Sequence, residues 1–266
     1  MIPRPSQTAL ALILSVLMTG CASTSATGPK VSEATKAQAK VVAEQAKKTD
    51  ADAQNLIRDD PIAAAAYWGA LYDSNPKDAN AAANYGEALR QIGSNEKAVG
   101  VMRDAANLFP DDSRVLAAYG KALAASNQPQ DALPYLEKAA TLDPKNVQTL
   151  SAAGVVQDQL GHPEQAKLRY EQALKLKPEN PVLLNNYGLS RAFAGDLPKA
   201  EELLRRAVTL PGVTAQMRQN LALVLGLAGK FAEAGSLSRS DLPAADTETN
   251  MAYIRALKGE PTAATR

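Results

Sequence analysis

The chain has 266 residues, in which 29 lysines and arginines nearly balance 28 aspartates and glutamates; that balance, with only 5% aromatics, leaves no basic stripe for nucleic acid. Alanine is abundant and β-branched runs of period two are absent, which points to helices and away from a sheet. The single cysteine, Cys21, excludes an internal disulfide.

Residues 1–20 carry the pattern of an export signal. Arg4 supplies the basic start, and Ala9 to Met18 form an apolar run. That run falls short of the roughly 20 apolar residues a spanning helix needs. Thr19 and Gly20 are small, as cleavage requires. The segment LMTGC resembles the lipobox of bacterial lipoproteins. The resemblance implies that Met18, Thr19 and Gly20 are recognition residues and that Cys21 is lipidated and becomes the first mature residue. The alternative is an ordinary signal peptide with an incidental cysteine. Ala22 follows, not aspartate, which by the same resemblance implies an outer-membrane protein facing the periplasm. Each buried CH₂ of the acyl chains would hold it by about 0.8 kcal/mol. Residues 21–44, the lipidated cysteine and ASTSATGP onward, serve as a tether.

From residue 45 the chain is periodic. Pro76, Pro110, Pro144 and Pro178 recur every 34 residues, as do Gly86, Gly120, Gly154 and Gly188. Ala98, Ala132, Ala166 and Ala200 keep the same spacing. A 34-residue period is the signature of tetratricopeptide repeats, antiparallel helix pairs stacked into a superhelix. The glycines cost about 1 kcal/mol each of helix propensity, so each must permit a close approach. The alanines belong at the tight crossings of second helices, and the prolines end each unit. Leu116, Leu150 and Leu184 in first helices, and Met102, Leu136, Tyr170 and Leu204 in second helices, fill the space between. Gly93, Gly161, Gly195 and Gly229 mark the turns within pairs.

The expected architecture is therefore all-α, a tetratricopeptide-repeat α-solenoid behind a lipoprotein signal peptide. Its repeats span 45–240: a degenerate unit 45–78, regular units 79–112, 113–146, 147–180 and 181–214, and a shortened unit 215–240. The degenerate unit keeps a second helix from Pro61 to Tyr72 with Trp68 at the large core position. Residues 241–266 hold a capping helix, Thr249 to Gly259, and a tail.

No constellation for catalysis, metal or cofactor emerges. His162, the only histidine, sits in a turn without ligand partners. LGLAGKFAEA lacks a phosphate-loop pattern, since Val224 and Phe231 occupy its key positions. Tyr85, Tyr119 and Tyr187 recur beside the helix glycines as core residues, and Glu201–Glu202 lie on a helix surface. An enzyme is not expected. A column 34 residues apart is expected to face the concave groove: Asn84, Ala118, Ala152, Asn186 and Asn220, with Asn185 beside it. Asparagine both donates and accepts, so such a set suits a peptide backbone; the alternative is asparagine merely solvated on an exposed helix. Arg90, Arg114 and Lys121 do not form the cationic pattern of a carboxylate clamp.

The C-terminal third adds a family resemblance. Met217 to Gly229 (MRQNLALVLGLAG), Asp241 to Pro243 (DLP) and Asn250 to Ala256 (NMAYIRA) resemble the Tad (Flp) pilus assembly lipoproteins. The resemblance implies a protein-binding adaptor for assembly of the tight-adherence pilus, pilotin-like for its secretin, with secretin or other Tad components as partners. Alternatives are a type IV pilus pilotin, a β-barrel assembly subunit, an adaptor for peptidoglycan enzymes or, from another class, a periplasmic enzyme.

Overall fold

The computed structural model describes residues 60–258. Among them are twelve α-helices and no strand: α1 (Pro61–Ser74), α2 (Ala79–Gln91), α3 (Asn95–Leu108), α4 (Ser113–Ala125), α5 (Pro129–Leu142), α6 (Val147–Gln159), α7 (Pro163–Leu176), α8 (Pro181–Phe193), α9 (Leu197–Val208), α10 (Ala215–Leu227), α11 (Phe231–Arg239) and α12 (Ala244–Leu257). The lipobox residues Met18, Thr19, Gly20 and Cys21, the tether, and the first helix of the degenerate unit lie outside the described residues.

Each first helix starts on a side-chain cap, and the caps share the repeat period. Asp78, Asp112, Asn146, Asn180 and Thr214 accept from backbone N–H groups two or three residues on, at 2.9–3.3 Å. Within each pair the turn passes through a left-handed residue. Gly93, Gly161, Gly195 and Gly229 take φ of 75°, 76°, 84° and 83°, and Asn127 fills the remaining turn at 58°.

The helix glycines pack against large residues of the paired second helix. A Cβ on Gly86 would collide with Met102 Sδ; on Gly120 it would meet Leu136 Cγ at 2.6 Å; on Gly154, the Tyr170 ring at 2.9 Å; on Gly188, Leu204 Cγ at 2.7 Å. Gly120 and Gly188 also lie against the carbonyls of Ala132 and Ala200, which with Ala98 and Ala166 are fully buried. In the last pair the equivalent positions hold Ala222 and Ser238, both buried, so a smaller second-helix residue makes room for the added methyl. The core runs along the stack as three successive clusters, from Ala64 to Ile254.

The two ends depart from the regular unit. α1 extends to Ser74, two residues past the expected end. The last second helix, α11, has only 9 residues, and α12 begins at Ala244, five residues earlier than expected. Pro243 stands at its N-cap without a side-chain cap bond, and Asp246 lies in its first turn, where an acidic residue is favourable. Met251 and Ile254 face inward, and Ile254 sits where Gly226 leaves space. No helix among the described residues is long and apolar enough to cross a membrane.

Candidate peptide-binding groove

First helices of successive pairs touch: α2 meets α4, α4 meets α6, α6 meets α8 and α8 meets α10. Second helices make no comparable backbone approach and are joined instead by ion pairs between long side chains, such as Glu137–Arg169 and Arg205–Glu233. A stack that is tighter on one layer curves toward it, so the first helices line the concave face.

The structure divides the asparagines expected there. Asn84 is half-buried and donates locally, to the Asn80 carbonyl at 2.9 Å and to Asn80 Oδ1 at 3.1 Å. Asn185 and Asn220 are buried and pair across helices, Asn220 Nδ2 donating to Asn185 Oδ1 at 2.8 Å. The chain of amides continues from Asn185 to Asn186 at 3.3 Å and from Asn186 to Ser151 Oγ at 3.5 Å, while Gln216 donates to Asn220 at 3.1 Å. Side chains of α6, α8 and α10 are thus joined in one polar ladder. The amide groups of Asn185 and Asn220 are engaged within this ladder, so these two residues set the spacing of first helices; Asn84 and Asn186 stay partly accessible.

Three residues along from the Asn84 column runs a second column on the same side of the helices. It reads Glu87, Lys121, Val155, Leu189 and Leu223. At its start Lys121 bonds Glu87 at 2.8 Å, and Arg90 bonds it from the next turn. Burial would raise the Glu87 pKa, but Lys121 and Arg90 outweigh it and hold the carboxylate far below the usual range. Arg114 is likewise paired, with Asp112 at 3.0 Å. All three cations of the imperfect clamp pattern are therefore engaged by carboxylates. From α6 onward the column is apolar. The concave face is graded: charged at α2 and α4, apolar with an amide edge at α6, α8 and α10. Such a face suits a segment whose polar and apolar halves are separate. The gradient was legible in the 34-residue columns, but only to a reading that followed this second column.

A half-buried carboxylate escaped the sequence reading. Asp158 of α6 accepts from Ser190 Oγ at 2.9 Å and from Tyr170 OH at 3.1 Å. Burial pushes its pKa up to about 6 despite those two donors and the nearby Arg191. Its place in the repeat is Arg90, Ala124, Ala192 or Gly226 elsewhere, so no periodic signal marks it. His162 Nδ1 lies 3.0 Å from Gln157 Oε1 at the start of α7. Among the described residues no three His, Cys, Asp or Glu side chains converge as metal ligands.

Models of the tetratricopeptide repeat match residues 58–113, 93–147, 123–184 and 181–206, running unbroken over more than half of the chain. The chain belongs to the tetratricopeptide-repeat family. This protein-binding fold is shared by solved structures at low identity. PilW, described as a widely conserved type IV pilus biogenesis factor, superposes with a TM-score of 0.59 at 19% identity, over 84% of this chain and 94% of that one. A thermophilic tetratricopeptide protein of Thermus thermophilus gives 0.59 at 17%, over 71% and 98%. The pilF protein of Pseudomonas aeruginosa gives 0.55 at 18%, over 83% and 94%. No curated protein matches the sequence. At such identities the likeness is one of fold.

Proposed function

We propose that this chain is a lipid-anchored adaptor of the outer membrane that serves assembly of the Tad (Flp) pilus machine and acts as a pilotin-like factor for its secretin. The observation that carries the reading is the C-terminal segment. The three stretches that resemble the Tad lipoproteins pack as one unit: Arg218 of α10 bonds Asp241 of the DLP turn at 2.8 Å, and Met251 and Ile254 of α12 are buried. The graded groove supports capture of a protein segment, and Cys21 in its lipobox supports a membrane anchor. An anchored binder raises the effective concentration of its partner at the membrane.

The test uses a deletion strain complemented with three forms of the chain. The intact chain restores secretin multimers in the outer-membrane fraction. Cys21→Ser, which cannot be lipidated, does not, although its soluble form still binds the secretin. A lipidated form with Leu223→Asp in the groove also fails. Normal secretin multimers in the uncomplemented deletion strain would sink the pilotin reading. The description of PilW as a type IV pilus biogenesis factor supports a second reading, a type IV pilus pilotin; in that case the type IV secretin, and not the Tad secretin, is lost from the outer membrane.

A further inference from the structure

We propose that the cleft at the C-terminal end of the stack, between α11 and α12, docks an amphipathic helix of a partner protein in the place of a next second helix. The inference rests on the repeat geometry and goes beyond the pilus reading, because the site is separate from the concave groove.

The cleft has a volume of about 710 Å³ and is lined by Phe231, Gly235 and Arg239 of α11 and by Thr247, Met251 and Arg255 of α12. Earlier in the stack, the α11-type position holds residues that reach forward to the next second helix. Glu201 and Arg205 of α9 bond Lys230 and Glu233 of the α11 segment, at 2.6 and 2.7 Å. Thirty-four residues on from Glu201 and Arg205 stand Gly235 and Arg239. Glu137 of α5, at the position equivalent to Arg239, likewise bonds Arg169 of the next second helix. The forward-reaching positions of α11 therefore open onto the cleft, and Arg239 has no acidic partner among the described residues.

α12 completes the match. It packs on both α10 and α11, as each first helix packs on the two helices before it. Every regular first helix then receives a second helix on its remaining side. The cleft lies on that side of α12.

The same geometry defines the occupant. Second helices present a small residue and, four positions later, a large one: Ala98 and Met102, Ala132 and Leu136, Ala166 and Tyr170, Ala200 and Leu204. Glu233, which answers Arg205, directly precedes the small residue Ala234. The partner helix thus carries an acidic residue, a small residue next to it and a large apolar residue one turn on. Its carboxylate faces Arg239 and its apolar side covers Phe231 and Met251. Arg239 and Arg255 outweigh Glu248, so the cleft favours an acidic segment. Thr247 Oγ1, in the wall, is buried without a hydrogen-bond partner among the described residues.

A peptide of residues 128–142 has the required pattern, with Asp131, Ala132 and Leu136 in order, and serves as the probe. Fluorescein-labelled peptide is titrated with the full chain in detergent and followed by anisotropy. Saturable binding is expected; Arg239→Glu weakens it by about tenfold, the scale of one charge pair. A peptide with Asp131→Lys recovers affinity for Arg239→Glu and loses it for the unaltered chain. Lys145→Glu, an exposed charge reversal outside both the cleft and the groove, leaves binding unchanged. No saturable binding, or binding indifferent to Arg239→Glu, overturns the proposal. So does binding that appears only once residues 259–266 are removed, which would make the chain's own tail the occupant. A concentration-dependent dimer that Arg239→Glu abolishes would make it a second copy, and overturns the proposal as well.

Discussion

Ser190 of α8 donates a 2.9 Å hydrogen bond to Asp158 of α6, across the junction of two repeats. Tyr170 of α7 approaches the other carboxylate oxygen at 3.1 Å. Both donors are neutral hydroxyls, and the Arg191 guanidinium bonds the Pro163 carbonyl at 2.7 Å instead. The pKa of Asp158 therefore stands at about 6, above the ordinary carboxylate value. Between roughly pH 4 and pH 6 the folded chain holds a proton that the unfolded chain has lost, so stability falls as pH rises through this window and then levels off. A shift of about two units corresponds to on the order of 2–3 kcal/mol. Asp158→Asn should raise the melting temperature at pH 7 and flatten the profile between pH 4.5 and 7. Glu87 acts in the opposite direction: its depressed pKa gives stability present above the ordinary carboxylate value and lost in more acid solution. A wild-type profile that rises from pH 5 to 7 would refute the assignment to Asp158.

Gly120 and Leu136 form one packing unit. A methyl on Gly120 would stand 2.6 Å from Leu136 Cγ and 3.1 Å from the Ala132 carbonyl. Gly120→Ala should cost about 1–3 kcal/mol by overpacking, read as a shift in the urea midpoint. Adding Leu136→Ser imitates the Ala222–Ser238 pair, so the double variant should lose less than the sum of the two singles. Strict additivity would mean that the two positions are not coupled.

Asn127 alone replaces glycine in the turns within pairs, at φ 58°. Asparagine tolerates this conformation through its short polar side chain, whereas alanine pays roughly 1–2 kcal/mol for it. Asn127→Ala should destabilise by about that amount, while Asn127→Gly should stay within a few tenths of a kcal/mol of wild type. Equal melting temperatures for the alanine and glycine variants would show that the turn relaxes.

Asn185 and Asn84 should respond differently to alanine. Removing the Asn185 amide leaves the buried Asn220 Nδ2 without its acceptor, at a cost of about 1–3 kcal/mol. Asn84→Ala removes only local bonds to Asn80 in a helix that alanine favours, and should leave stability unchanged. Capture of a partner by the groove, measured at matched circular dichroism, separates a recognition role of Asn84 from a merely solvated one.

By itself the sequence determined the repeat, because a 34-residue period fixes which positions meet in every unit at once. Pro76, Gly86 and Ala98, with their equivalents, mark turn, close approach and tight crossing through local sterics that do not depend on the rest of the chain. The caps from Asp78 to Thr214 share that period, and the fold shows them as hydrogen bonds. Only the tertiary structure decided what departs from the period. Asn185 and Asn220 are one residue out of register with each other in the repeat, so their pairing depends on the stagger of α8 against α10. Asp158 is half-buried on α6, where Tyr170 reaches it from α7 and Ser190 from α8. The early start of α12 follows from the short α11, which ends too soon to hold the next helix in the regular register. Periodicity specifies contacts that recur; contacts made once are set by how the neighbouring helices happen to pack.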